Sequence, residues 1–298
     1  MDVFSDLYCY LPEKVAKLLR SDKYFNVTEL RFGLDKPILV YSSGNLKFLP
    51  DAYGNHITSD KAMFDYMLDR LTGGSLYSVN ENIKEGFVTV KGGHRVGICG
   101  TAVISGEGIS HIRHISGLCF RVSREVKGCS VTLMDELEKG SSVENILIAS
   151  PPGCGKTTLL RDICRIIANG ELSGGMKRVG IADERGEVAS MNNGVPSFDV
   201  GVASFVCDGY PKACAIMSML RSMCPDVIAT DEIGTKKDFE AIGKAQKSGV
   251  SIIATAHAGS LQDLVEKFGR ELKNFDKIVF LKGKGIVSGI YRRVSGDY

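Results

Sequence analysis

Tryptophan is absent from this 298-residue chain, and aromatic residues make up only 8% of it. An excess of charge is missing as well: 37 lysines and arginines face 35 aspartates and glutamates, a formal net charge of +2. Bulk charge gives no reason to expect nucleic acid or an anionic membrane as partner, and few rings are on offer for stacking bases. No run of 18 or more apolar residues occurs, so no helix is expected to span a bilayer. The N-terminus, Met1-Asp-Val-Phe-Ser-Asp-Leu-Tyr, lacks a basic start leading into an apolar run and is not read as a secretory signal. Nine cysteines are present, an odd number, with no Cys-x-x-Cys among them. Reduced, mostly buried thiols in a reducing compartment are expected, rather than a disulfide or zinc framework. These absences together point to a cytoplasmic protein that meets a membrane only through a partner.

What is present is ordinary globular material, 44% hydrophobic and 24% charged, enough for one or two domains. Residues 1 to about 135 read as mixed helix and strand. Leu11–Leu19 has helical spacing, with Pro12 near its start where a missing N–H is harmless. Lys36–Tyr41 and Leu46–Leu49 flank Ser-Ser-Gly-Asn, a hairpin signal. Ser59–Leu71 reads as a helix capped by Ser59. Gly86–Val90 and Arg95–Ile98 flank Lys-Gly-Gly-His, a second hairpin whose His94 is expected to be exposed.

From about residue 140 the texture changes. Asn145–Ala149, Arg178–Ala182, Asp226–Thr230 and Val250–Thr255 are short apolar runs without alternation, as suits strands buried on both faces of a parallel sheet. Helical stretches lie between them: Gly155–Asn169, Lys212–Met223, Lys237–Lys247 and Leu261–Leu272. This alternation predicts an α/β domain with helices on both sheet faces. Lys277–Lys282 and Gly285–Val294 read as a closing hairpin.

The strand at Asn145–Ala149 runs directly into Ser150-Pro-Pro-Gly-Cys-Gly-Lys-Thr-Thr and then a helix, the context that a phosphate-binding loop needs. Successive backbone N–H groups make a concave anion site, and the helix N-terminus adds partial positive charge. Ser150, Pro151, Pro152, Gly153, Cys154, Gly155, Lys156, Thr157 and Thr158 are the candidate nucleotide-binding residues. Gly153 and Gly155 let the backbone approach the phosphates, Lys156 reaches the β- and γ-phosphates, and Thr157 offers a hydroxyl to Mg²⁺. Ser150 stands where the pattern wants glycine, a tolerable change in a small residue that only turns the chain. The alternative is a glycine-rich turn that binds nothing.

Hydrolysis needs metal support and a group that orients water. The strand Asp226–Thr230 ends in Asp231-Glu232; Asp231 is expected to support Mg²⁺ indirectly and Glu232 to polarise the attacking water. Between Lys156 and this pair there is room for two further strand–helix units. Asp183-Glu184-Arg185-Gly-Glu187 follows another strand and points into the same crevice. Glu184 competes for the role of base, with Asp183 as a metal or sugar contact; a solvated charged turn is the alternative. His257, just past the strand Val250–Thr255, is placed to sense a γ-phosphate. Arg113 and Arg121 have the same parity and would share a face of one continuous strand, from which an arginine could reach a neighbouring subunit's phosphate; surface salt bridges are the equal alternative. His111 and His114 fall on opposite faces of that strand, which argues against a metal site.

The set Gly92-Gly-His-Arg-Val-Gly-Ile-Cys-Gly, the Ser150–Asp162 loop and helix start, Ile181-Ala-Asp-Glu-Arg-Gly-Glu, Pro225-Asp-Val-Ile-Ala-Thr-Asp-Glu-Ile-Gly and Thr255-Ala-His closely resembles the stage III sporulation protein AA family. The resemblance covers nearly the whole chain. That family is similar to the ATPases of type II and type IV secretion and pilus systems, and the resemblance implies an architecture, a set of site residues and a setting. Residues 1–135 would form a smaller N-terminal α+β domain contributing to subunit contacts and the nucleotide site. Residues 136–298 would form a RecA-like P-loop ATPase domain. Asp183-Glu184 would fall in the acidic box, Asp231-Glu232 in the second Walker motif and His257 in the histidine box. Arg113 and Arg121 lie where N-terminal arginines approach the phosphates. Asp-Glu-Arg stands in place of the Glu-Asp-Pro more usual in secretion ATPases, so which carboxylate acts as base stays open. The implied protein is a hexameric-ring ATPase using ATP and Mg²⁺. It would sit in the mother cell of an endospore former, against membrane proteins of the channel linking mother cell to forespore. A RecA-like nucleic-acid-binding ATPase is the alternative from another class, with Lys282, Lys284, Arg292 and Arg293 as a modest basic tail. A nucleotide-gated scaffold that barely turns over is the third.

Overall fold

The fold is that of a computed structural model, which describes residues 4–74, 86–106, 108–139 and 142–293. Met1–Val3 and Val294, the last residue of the expected closing hairpin, lie outside them. The chain forms two compact units, residues 1–124 with 192–197 and residues 125–191 with 198–298.

The first unit contains α1 (Glu13–Leu19), β1 (Val27–Gly33), β2 (Leu39–Ser42), β3 (Asn45–Phe48), α2 (Lys61–Thr72), β4 (Phe87–Val90), β5 (His94–Ser105) and β6 (Gly108–Arg121). The six strands form one antiparallel sheet in the order β3-β2-β1-β6-β5-β4. Both expected hairpins are present: Ser42 pairs with Asn45, and Val90 with His94. One face of the sheet buries Leu30, Phe32, Val40, Val96, Ile98, Leu118 and Phe120 together with Val15 and Leu19 of α1 and Phe64 and Met67 of α2. Alternation of inward and outward residues, period two in the strands, selects that face. The cap of α2 is Asp60 rather than Ser59, its carboxylate accepting from the Met63 amide at 2.8 Å.

On β6, His114 has φ of 46°, and the ladder to β5 slips between the Cys99–Gly117 and Thr101–Arg113 pairs. This bulge interrupts the continuous alternation assumed for Arg113 and Arg121. His94 is not exposed: it is 2% accessible, and its Nδ1 accepts from the Ser123 amide at 3.0 Å. Nor are the thiols mostly buried. Only Cys164 and Cys207 are, while Cys9, Cys99, Cys214 and Cys224 are exposed, and all nine are free.

The second unit contains β7 (Ile146–Ser150), α3 (Lys156–Asn169), β8 (Val179–Asp183), β9 (Ser204–Asp208), α4 (Lys212–Ser222), β10 (Val227–Thr230), α5 (Lys236–Lys247), β11 (Ser251–His257), α6 (Leu261–Phe268), β12 (Lys277–Lys282) and β13 (Ile286–Arg292). Its sheet has the order β9-β8-β10-β11-β7-β12-β13, parallel throughout except for the final hairpin strand. Ile146, Ile148, Val179, Ile181, Val227, Ala229 and Ile253 pack with α3 on one face. Leu147, Ala149, Ile228, Ile252 and Ala254 pack with α4, α5 and α6 on the other. Helices thus cover both faces, which is why the strands read as unbroken apolar runs. Of the two strands of this sheet between α3 and β10, only β9 is followed by a helix.

Residues 125–135, grouped with the first region on texture, pack with the second unit. The Asp162 carboxylate accepts from the amides of Gly128 and Ser130, each at 2.9 Å, and from the Ser130 hydroxyl at 2.7 Å. Leu133 enters the α3 core.

Burial holds the His94 imidazole down to about 4, against a weaker opposing pull from the Asp6 carboxylate. The unfolded chain, titrating near 6.5, therefore binds a proton that the folded chain refuses, and stability falls as pH drops between those values. The expected loss from this group is about 3 kcal/mol between pH 7 and pH 4. Urea unfolding across that range checks it: a His94→Gln variant should show a flatter acid limb than wild type, the difference appearing below pH 6.5.

Candidate active site at the phosphate loop

Strand β7 delivers five buried residues into the loop at 151–155, and α3 starts immediately after. Gly153 and Gly155 have φ of 75° and 93°, which side chains disfavour. Gly155 is also crowded, since a Cβ there would sit 3.0 Å from the backbone nitrogen of Gly285. That residue belongs to the turn between β12 and β13, and its amide donates to the Cys154 carbonyl at 2.6 Å. The closing hairpin thus braces the loop. No side chain caps the first turn of α3, so its amides remain available to an anion.

Ser150 lies beneath the loop. Its carbonyl and hydroxyl oxygens are 3.2 and 3.4 Å from the buried Lys156 ammonium, and the Pro151 carbonyl is 3.2 Å away. Serine at this position supplies an acceptor that glycine lacks. The ammonium also meets Nδ1 of His257 at 2.9 Å. An ammonium only donates, so Nδ1 accepts and the ring proton sits on Nε2, which lies 2.7 Å from Oε1 of Glu232. Burial pushes the Lys156 ammonium below its usual value, with Asp231 and Glu232 pulling it back up.

Asp231 directly follows the buried strand β10 and is 8% accessible. One carboxylate oxygen accepts from the Thr157 hydroxyl at 2.6 Å, the other from the Thr255 hydroxyl. Thr255 in turn accepts from the Glu232 amide at 2.8 Å. Burial pushes the Asp231 carboxyl up, against the two hydroxyl hydrogen bonds. Glu232 takes a left-handed backbone with φ of 50°, a conformation costing a non-glycine residue about 1 kcal/mol. Burial raises its carboxyl too. The His257 hydrogen bond and the positive charge of Arg185 and Lys156 outweigh that, and the group ends below its ordinary value. Oε2 of Glu232 pairs with Arg185.

Arg185 comes from the loop after β8. There Asp183, 1% accessible, accepts from the amides of Glu187, Val188 and Ala189 at 2.8, 3.0 and 2.8 Å. The expected part of Asp183 as a metal or sugar contact gains no support from this arrangement, in which the buried carboxylate faces the loop's own backbone amides. Glu184 pairs with the buried Lys212 at the start of α4. Arg161 of α3 binds the carbonyls of Val188 and Glu187 and lies over the Phe198 ring at 3.9 Å.

The structure therefore brings together Lys156, Thr157, Asp231, Glu232 and His257, holds Glu184 on a separate cation, and keeps Arg113 and Arg121 on β6 of the first unit. Arg113 donates from Nε to His111 Nε2 at 3.2 Å. A buried ammonium, a hydroxyl against a carboxylate, a second carboxylate against a histidine and unspent helix amides are the parts of a phosphoryl-transfer site.

The chain matches the family described as sporulation stage III, protein AA, over residues 3–296. It belongs to that family. Stage III sporulation protein AA of Bacillus subtilis (strain 168) is 35% identical over 291 residues, which span 94% of this chain and 92% of that protein. Two solved structures show the same fold at low identity. The pilus retraction motor PilT with bound ADP superposes with a TM-score of 0.59 at 14% identity, over 90% of this chain and 77% of that one. The Yersinia pseudotuberculosis ATPase DotB gives 0.58 at 14% identity, over 93% and 80%. The mixed α/β fold of this sporulation-family protein is thus similar to the folds of these two ATPases. Among its described residues no helix is long and apolar enough to cross a membrane.

In this family member, sequence reasoning missed Thr255, Arg161, Arg185 and Lys212 as site-building residues. A polar residue inside the apolar run Ile252-Ile-Ala-Thr-Ala is the one signal that pointed at Thr255. Replacing fully buried Thr255 by valine preserves shape but removes two hydrogen bonds, one from the Glu232 amide and one to Asp231 Oδ1, leaving only the 3.1 Å contact between that amide and that oxygen. The expected cost is about 2 kcal/mol in urea unfolding, with Thr255→Ser losing about half as much because the hydroxyl remains.

Proposed function

We propose that this protein is an Mg²⁺-dependent ATPase, the motor of the mother cell-to-forespore channel of endospore formation, powering its assembly or transport. One observation carries the catalytic part: a single buried carboxylate, Asp231, joins the Thr157 hydroxyl to the strand end that presents Glu232, 2.7 Å from His257.

The residues fit ATP and Mg²⁺. Asp231 is a buried carboxylate pushed up by desolvation, a group that an adjacent cation would return to its ionised form. Among the described residues no group of three or more His, Cys, Asp and Glu forms a cage for a metal. Mg²⁺ needs none, since it binds through one or two protein groups together with water and substrate phosphates. Thr157 would hold it directly and Asp231 would orient that hydroxyl. Bound there, Mg²⁺ neutralises charge on the phosphate oxygens.

The chain's own groups account for the remainder. The loop amides and Lys156 bind the β- and γ-phosphates; to do so, the ammonium leaves the Ser150 and Pro151 carbonyls and His257. Glu232 orients the water that attacks the γ-phosphorus and accepts its proton, and His257 registers the presence of the γ-phosphate through the same two partners. Glu232 is the better base than Glu184 because of its place: each carboxylate carries a cation, but Glu232 directly follows Asp231 and meets His257, which in turn meets Lys156, whereas Glu184 is paired with Lys212. Arg113 or Arg121 would approach phosphate from a neighbouring subunit of a hexameric ring. The ring would work in the mother-cell cytoplasm, peripheral to the membrane through proteins of the channel complex.

Titration calorimetry and phosphate release on four proteins test this. Wild type should bind ATP with Mg²⁺ and release phosphate. Lys156→Ala should lose binding. Glu232→Gln should bind ATP yet fall about 10²-fold or more in turnover, and Glu184→Gln should keep most of it. Absence of nucleotide binding by concentrated wild type overturns the proposal, and a Glu184→Gln that binds without cleaving moves the base to Glu184.

A further inference from the structure

Glu232 is held from two sides. His257 Nε2 meets Oε1 at 2.7 Å, and Arg185 pairs with Oε2. Two anchors on the two oxygens of one carboxylate set the plane of the group as well as its position. Without the second, rotation about the terminal torsion of a glutamate is soft.

Arg185 is itself 64% accessible at the side chain, and an exposed ion pair of this kind adds little to stability. What is unusual is the rigidity of the backbone beneath it. Asp183 binds the three amides of residues 187–189, Arg161 binds the carbonyls of residues 187 and 188, and Glu184 is tied to Lys212. The loop is gripped by an anion and a cation on its two sides, with Arg185 projecting from the gripped segment toward Glu232. An arrangement that contributes little to folding yet fixes one functional carboxylate is the signature of a positioning role.

We propose that Arg185 is a positioning residue for the water-orienting carboxylate, holding Oε2 of Glu232 while His257 holds Oε1. The inference rests on the ATPase reading for its kinetic consequence, but the contact itself does not. Arg185 acts through Glu232, so its effect belongs in turnover rather than in nucleotide affinity.

The test uses the full chain as wild type, Arg185→Ala, Arg185→Lys, Glu232→Gln and the Arg185→Ala/Glu232→Gln double variant. Arg185→Ala should lower kcat by about 10²-fold while ATP affinity by calorimetry changes less than about threefold. Arg185→Lys, which keeps a cation but not the planar fork, should recover part of the loss. The double variant should be no slower than Glu232→Gln alone. Unchanged or raised kcat in Arg185→Ala overturns the proposal, as do losses that multiply in the double variant or a loss confined to affinity. A crystal structure of nucleotide-free Arg185→Ala supplies a readout independent of hydrolysis. The Glu232 carboxylate should leave its single orientation against His257; a carboxylate that stays in place refutes the positioning role. If wild type neither binds nor cleaves ATP, the functional reading fails, and the crystal structure still decides whether Arg185 holds Glu232.

Discussion

The buried carboxylate of Asp231 is the point on which the site depends. A carboxylate taken out of water is costly unless its oxygens are engaged. Here they accept hydroxyl protons from Thr157 at the start of α3 and from Thr255 in β11. Three elements far apart in sequence are thereby tied at one end of the sheet. The tie continues through the Thr255 oxygen to the Glu232 amide, so the buried carboxylate also sets the backbone of its neighbour.

Helix α3 serves three ends at once. Its first residues, Lys156 and Thr157, face the phosphate loop and Asp231. One turn on, Arg161 reaches the loop after β8 and Asp162 reaches the segment at 128–130. The Asp162 carboxyl is raised by burial and lowered further by the hydroxyl and amides it accepts from, so it stays ionised and keeps its grip. Most of the helix's other residues are buried as well, Leu159, Leu160, Ile163, Cys164, Ile166, Ile167 and Ala168 among them. A shift of this helix would move the lysine, the threonine and the acidic loop together.

On the proposed function, the same groups around Lys156 would serve two states. In the structure it lies among the Ser150 and Pro151 carbonyls and His257. Those partners satisfy a buried ammonium that would otherwise be unpaired. They are weaker than a polyphosphate, which carries full negative charge, so the arrangement is easily exchanged. Because His257 bridges Lys156 and Glu232, any movement of the lysine is felt at the carboxylate two contacts away.

Most of the second unit was legible in the chain. Parallel strands buried on both faces must be apolar throughout, so β7, β8, β10 and β11 stand out without alternation, and the phosphate loop comes directly after one of them. Residues at strand ends were legible for the same reason, since parallel order gathers those ends on one edge. Other features lay beyond reach. Edge strand β9, with Phe205 exposed, has no unbroken apolar run to betray it. His94 reads as a turn residue, yet its place opposite Val90 turns it inward. Residues 125–135 resemble the first region in texture but are captured by Asp162. The pairings of Arg185 with Glu232 and of Lys212 with Glu184 join residues 47 and 28 positions apart. The sequence by itself determined the central strands, the helices between them and the glycine-rich loop, because periodicity and glycine conformation are local properties. Which carboxylate stands beside the histidine and which is neutralised by a lysine was decided only by tertiary structure, because charge pairing depends on strand order, and strand order is not written in any one segment.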